Sequence, residues 1–170
     1  MTRSELTIRE NLLCEVALFV ERVRVCSGVQ RIALIGSLTT SKENPKDADV
    51  LVTVDDDADL TPLATAGRRL KGHAQSRNKG ADIFLADPSG NYIGRICHWR
   101  ECYRGKRMSC DARHCGQRPF LHDDLDGVAL DASLIKAPPL ELWPRIVRRT
   151  GLPGDVEEHL VQSIEMKQKP

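Results

Sequence analysis

Two short stretches hold residues whose types and spacing could do chemistry. Arg31 to Ile35 is an apolar run that breaks at Gly36-Ser37, and Lys46-Asp47-Ala48-Asp49 stands at the head of a second run, Val50-Leu51-Val52-Thr53-Val54. Side chains alternate along a strand, so Asp47 and Asp49 should project from one face. Carboxylates that close repel each other unless a cation lies between them. Magnesium takes oxygen ligands and commonly bridges to substrate phosphates, which makes it the natural occupant. Two strands, one with a Gly-Ser corner and one with two aspartates at its mouth, therefore read as a site for a metal-bound phosphate.

The second concentration of chemistry is Cys97 to Cys115, CHWRECYRGKRMSCDARHC, with the spacing C-x4-C-x7-C-x4-C and a histidine beside two of the cysteines. Four soft ligands in 19 residues can enclose a tetrahedral zinc. The expected ligands are Cys97, Cys102, Cys110 and Cys115, with His98 or His114 as substitutes. The close C-x2-C knuckle is missing, so reduced thiols in an irregular loop remain open. So does a redox switch in which neighbouring Arg and Lys lower the thiol pKa values. Arg100, Arg104, Lys106 and Arg107 make the segment basic, suited to hold nucleotide or nucleic-acid phosphates or only to solvate a loop. Trp99 and Tyr103 could stack on bases, but read first as the module's small apolar content. His122-Asp123-Asp124 reads as a solvated turn before it reads as a metal or general-base cluster.

The elements that must position these groups follow from periodicity. Thr7-Ile8-Arg9-Glu10 reads as a capping box. Leu12, Leu13, Val16, Phe19, Val20 and Val23 then recur at helical spacing, with Gly28 as a stop. Cys14 and Cys26 read as buried structural thiols on or beside that helix. Strands are expected at Arg31 to Ile35, Ala48 to Val54 and Ala81 to Ala86. A fourth, Tyr92 to Ile96, is expected antiparallel to the third through a short loop. Leu38 to Asn44 reads as a helical turn stopped by Pro45, and Asp55-Asp56-Asp57 as a solvated turn. Thr61-Pro62 reads as an N-cap and first helical position ahead of the stripe Leu63, Ala66, Leu70 and Ala74. Val128 to Leu130 is a short strand candidate. Leu140 to Val147, with Trp143-Pro144, reads as a short helix in which Trp143 is core. Gly151 to Gly154 reads as a linker before a terminal helix, Asp155 to Met166.

Length and composition bound the rest. A chain of 170 residues with 41% hydrophobic content supports one domain with a small appendage, and only 4% aromatics means a core of Leu, Val, Ile and Ala. The division read is a core over 1–96, a cysteine/histidine-rich module over 97–118, and the rest of the core with a C-terminal helix over 119–170. Net charge is +1, so global charge implies no partner. Locally, six aspartates fall between Asp47 and Asp59, and seven Arg or Lys face two acids between Arg95 and Arg118. There is no apolar run of membrane-spanning length and no signal-like N-terminus, so a soluble, cytoplasmic protein without membrane partners is expected. Six cysteines in that setting point to thiols or metal ligands rather than a disulfide framework.

Gly36-Ser37, nine residues, then Asp47-Ala48-Asp49 on a strand, then Ala81-Asp82-Ile83 on a later strand after a helix, resembles the nucleotidyltransferase superfamily of polymerase-beta-like and minimal nucleotidyltransferases. The resemblance covers about residues 31 to 86; the loop after Ser37 lacks the arginine and glycine common in minimal members. It implies an α/β (α+β) fold, a mixed sheet flanked by helices, with the cysteine-rich module added. It implies transfer of a nucleoside monophosphate from a nucleoside triphosphate such as ATP to a hydroxyl acceptor. Asp47 and Asp49 would hold two magnesium ions and Asp82 would complete the ligand set of one, activating the acceptor hydroxyl and neutralising the leaving pyrophosphate. Gly36 would let the backbone approach a nucleotide phosphate, and Ser37 would donate to it. Asp82 would also accept the proton of the incoming hydroxyl. The plainer reading is a Gly-Ser turn with surface aspartates, against which stands the cost of an acid in the middle of an apolar strand. The acceptor, whether small molecule, RNA or protein, is not specified. A catalytically silent module of this fold, binding nucleic acid or a protein through a zinc unit, is the alternative.

Overall fold

The structure, a computed structural model, describes residues 5–97, 118–122 and 139–168. Helix α1 (Ile8–Val23) begins with the expected capping box. The Thr7 hydroxyl accepts from the Glu10 N–H at 3.1 Å, and the Glu10 carboxylate accepts from the Thr7 N–H at 2.8 Å, so two otherwise orphaned donors are satisfied. The helix buries Leu12, Leu13, Val16, Phe19, Val20 and Val23 and ends at Val23, ahead of Gly28. Phe19 is fully buried. Phe19→Ala is expected to cost about 3–5 kcal/mol, read as a lower denaturant midpoint at an unchanged slope.

Six strands follow: β1 (Val29–Ile35), β2 (Asp47–Val54), β3 (Gly80–Ala86), β4 (Tyr92–Ile96), β5 (Leu121–His122) and β6 (Leu140–Trp143). They form one sheet in the order β5-β4-β3-β2-β1-β6. Among the described strands only β2 and β3 run parallel, and the other neighbouring pairs are antiparallel. A parallel pair needs a crossover, and α2 (Thr61–Gln75) supplies it. The C-terminal helix, α3, passes through Gly154–Val156, a π-helical segment Glu157–Val161 and Gln162–Gln168. Helix α1 packs against α2, α3 and β2. The shared core takes Ile32, Leu34, Val50, Val52, Ile83, Leu85, Leu140 and Leu142 from the sheet, and Leu63, Leu70, Leu160 and Val161 from the helices. The fold is thus mixed α/β, and the two outermost strands among the described residues, β5 and β6, both follow the cysteine-rich segment.

Two local readings are corrected. Residues Leu140–Trp143 are a strand, not the expected short helix: β6 pairs antiparallel with β1 and buries Leu140 and Leu142. The proline at 144 disfavours helical geometry at the residue before it, and sheet pairing decides the rest. Trp143 packs against the core, partly buried. Helix α2 starts at Thr61 itself, so Thr61 is not the cap. Leu60 occupies the cap position without a side-chain cap, and the Asp59 carboxylate just before it accepts the Thr61 N–H at 2.9 Å. This hydrogen bond holds the Asp59 pKa below its ordinary value. A depressed folded-state pKa contributes stability that is present above the unfolded value, near 4, and is lost as pH falls through the folded one. The first turn of α2 is therefore expected to loosen below about pH 4, and Asp59→Asn to remove that pH dependence, read by amide exchange at Thr61.

Candidate functional site

The end of the sheet where β1 stops and β2 and β3 begin collects the residues singled out by type. Strand pairing sets Ile35 opposite Asp49, and Asp49 opposite Asp82, while Asp47 lies opposite Gly80. Neighbours in register share a face, so Asp49 and Asp82 project together, and Asp47 joins them two positions away on β2. Their inward-facing neighbours, Ala48, Val50, Ala81 and Ile83, are buried in the core. The core thus fixes the register that delivers the acids to the opposite face, since a slip of one residue would bury them. Asp47, Asp49 and Asp82 are partly exposed, Asp82 at 32%. The expected cost of an acid among apolar neighbours is accordingly reduced: Asp82 is the third residue of β3, near its mouth.

Gly36 and Ser37 open a single 3-10 turn, Gly36–Thr39, rather than the longer helical turn expected over Leu38 to Asn44. Gly36 has φ +76°, a left-handed conformation that glycine adopts without penalty. A Cβ there would also lie 2.7 Å from Asp49 Oδ2. Gly80 repeats the pattern, because a Cβ on it would overlap Asp47 Oδ1. Each of the two β2 carboxylates therefore lies against a glycine. The loop before β2 is tied to the start of β3 by Gly80 N–H donating to the Lys46 carbonyl at 2.9 Å and by Lys79 Nζ to Asn44 Oδ1 at 2.6 Å.

Asp82 has a cationic neighbour. Arg95 on β4 approaches its carboxylate at 3.8 Å, both side chains about one-third exposed. On the same two strands Phe84 and Tyr92 form a tilted ring pair, with centroids 6.3 Å apart. Among the described residues no group of three or more His, Cys, Asp or Glu is gathered closely enough to hold a metal ion. The register thus sets three carboxylates on one face, and Arg95 is a cation beside one of them, Asp82. The donor set itself suits a hard cation: carboxylate oxygens, partly exposed, with the space beside Asp47 and Asp49 kept open by glycines.

Cys97 is buried directly after β4, and its N–H donates to the Phe120 carbonyl at 2.7 Å. The other expected zinc ligands, Cys102, Cys110, Cys115, His98 and His114, lie outside the described residues. So do Trp99, Tyr103, Arg100, Arg104, Lys106, Arg107, Asp123, Asp124 and the strand candidate Val128 to Leu130. His122 lies on β5. Cys14 and Cys26 are half-buried rather than buried. Burial pushes both thiols above their ordinary pKa, and Glu15 and Glu10 push Cys14 further. Both are therefore poor nucleophiles at neutral pH.

Sequence reading missed two residues of this site. In sequence Gly80 only closes the turn-like run Asn78-Lys79-Gly80, and its pairing with Asp47 reveals what it makes room for. Arg95 was one basic residue among seven, and its position opposite Phe84 is a matter of register.

Residues 2–117, more than half of the chain, match the family described as Family of unknown function (DUF6932), and the chain belongs to that family. No curated protein and no solved structure matches it. No helix among the described residues is long and apolar enough to cross a membrane.

Proposed function

We propose that this member of a family of unknown function is a magnesium-dependent nucleotidyltransferase, moving a nucleoside monophosphate from a nucleoside triphosphate to a hydroxyl acceptor. The observation that carries the reading is the register: Gly36 against Asp49, and Asp49 beside Asp82, bring three separate stretches to one face at one end of the sheet. Asp47 and Asp49 would hold magnesium, with Asp82 as the third carboxylate. Bound there, magnesium would lower the pKa of the acceptor hydroxyl and neutralise charge on the leaving group.

The chain's own residues account for the rest. Gly36 allows the backbone to come close to a phosphate, and the Ser37 hydroxyl, partly exposed beside it, donates to a phosphate oxygen. The acceptor oxygen attacks the α-phosphorus, the bond to pyrophosphate breaks, and the acceptor proton passes to Asp82. Arg95 stands beside Asp82, its guanidinium 3.8 Å from the carboxylate.

A second reading is favoured by the same ion pair. An arginine that already neutralises Asp82 suits a catalytically silent module that binds nucleic acid or a protein, with Cys97 as the first ligand of a zinc unit. One experiment separates the two. Purified protein is supplied with labelled nucleoside triphosphates, magnesium and pools of small-molecule, RNA and protein acceptors. Magnesium-dependent pyrophosphate release supports the transferase; tight binding of a partner without turnover supports the silent module.

A further inference from the structure

The loop that leaves Gly36-Ser37 is held by a side chain from another part of the chain. Every carbonyl from Gly36 to Thr40 accepts a hydrogen bond. Those of Gly36 and Ser37 accept from within the turn, from the hydroxyls of Thr39 and Thr40, both at 2.7 Å. The others are served from outside. Arg9, on the first turn of α1, donates to the carbonyls of Leu38 at 3.1 Å, Thr40 at 2.5 Å and Lys42 at 2.8 Å. Arg149 donates to that of Thr39. Arg9 is only 7% exposed, and its charge is met by Asp155, whose Oδ2 accepts from Nε at 2.5 Å. Asp155 is itself fixed at the start of α3, where its Oδ1 accepts the Val156 N–H at 2.9 Å.

A buried guanidinium is a poor device for stability alone, since an apolar residue of similar size often serves as well. Its distinguishing property is a rigid planar fork of five donors, able to bind several carbonyls at once and fix their directions. Here the carbonyls belong to the loop that keeps Gly36 against Asp49 and presents Ser37 beside it.

We infer that Arg9, held by Asp155, is a positioning residue for the Gly36-Ser37 turn, so that the half of the site facing the phosphate is set from the C-terminal segment that carries Arg149 and Asp155. The inference rests on the transferase reading for what the turn binds, but not for the clamp itself.

Arg9→Lys keeps the charge and loses the fork; Asp155→Asn keeps the shape and loses the countercharge, and serves if the first variant does not fold. In full-length protein, backbone exchange by mass spectrometry is compared over residues 36–42 and over β2 and β3, and binding of magnesium alone is compared with binding of magnesium-ATP. The expected result is exchange over 36–42 raised about tenfold with β2 and β3 unchanged, and magnesium-ATP binding weakened about tenfold with magnesium binding kept. Unchanged exchange over 36–42 overturns the inference. So does exchange rising equally across the sheet, which is the mark of general destabilisation, and so does a loosened loop with undiminished magnesium-ATP binding. If the parent protein binds no magnesium-ATP, the nucleotide reading fails by itself, and the clamp is then decided by the exchange comparison alone.

Discussion

Asp49→Ala and Asp47→Ala are each expected to lower magnesium-dependent pyrophosphate release by about two to three orders of magnitude while leaving the fold intact. A metal held at a reacting phosphate contributes several kcal/mol of charge stabilisation, and each 1.36 kcal/mol is tenfold in rate. The fold should survive because neither side chain contributes to the core, whose β2 members are Ala48, Val50, Val52 and Val54. Without magnesium the variants should melt at a temperature equal to or above that of the parent, since each removes one of two like charges two positions apart on one strand face. Stability and activity should thus move in opposite directions, a signature that a purely structural aspartate does not give. Activity equal to the parent's in either variant would remove the basis for the site. The Asp49 change should be the more damaging, because Asp49 lies against Gly36 and opposite Asp82, whereas Asp47 sits one pleat further out, opposite Gly80.

Much of this site was legible before the fold was known, for a physical reason. Alternation along a strand is a local property, so Asp47 and Asp49 could be placed on one face from the run Asp47 to Val54 alone. The capping box at Thr7 and Glu10 is equally local, and so is the antiparallel return from β3 to β4 through a short loop. What was not legible depends on register between distant strands. That Asp49 faces Asp82 follows from a parallel pairing across α2, and that Gly80 accommodates Asp47 follows from the same ladder. Arg95 meets Asp82 only because β4 lies beside β3. Residues 140–143 failed locally because four residues before a proline carry little periodic signal. Their strand state comes from pairing with β1, more than a hundred positions away in sequence. Arg9 shows the limit most plainly. In sequence it is the middle of a capping box, while in the fold it is a buried cation whose partners lie on the loop after β1 and at the start of α3.

Gly80→Ala gives the sharpest separation of stability from function. Gly36 is a poorer choice for that purpose, because alanine there would meet a left-handed backbone as well as the Asp49 carboxylate, and a loss of folding would be confounded with a loss of function. At Gly80 the backbone needs no such conformation, and the atom a Cβ would overlap is the free end of the Asp47 side chain. A carboxylate can swing away at little cost, and replacing glycine within a strand reduces the entropy of the unfolded chain, so the melting temperature should stay level or rise slightly. The displaced carboxylate, however, can no longer occupy the position beside Asp49 that the register gives it. Misplacement of a reacting or binding group by about 1 Å can cost a factor of about a hundred in rate, so magnesium-dependent pyrophosphate release is expected to fall by about that much, with weaker magnesium binding and an intact sheet by amide exchange. Gly80→Ser, which adds a similar Cβ, should behave alike, whereas alanine at the exposed Gly72 of α2, where a Cβ meets nothing, should leave activity at the parent level. Full activity in Gly80→Ala would mean that the place of the Asp47 carboxylate over β3 is of no consequence, and Asp47 would have to be withdrawn from the metal site.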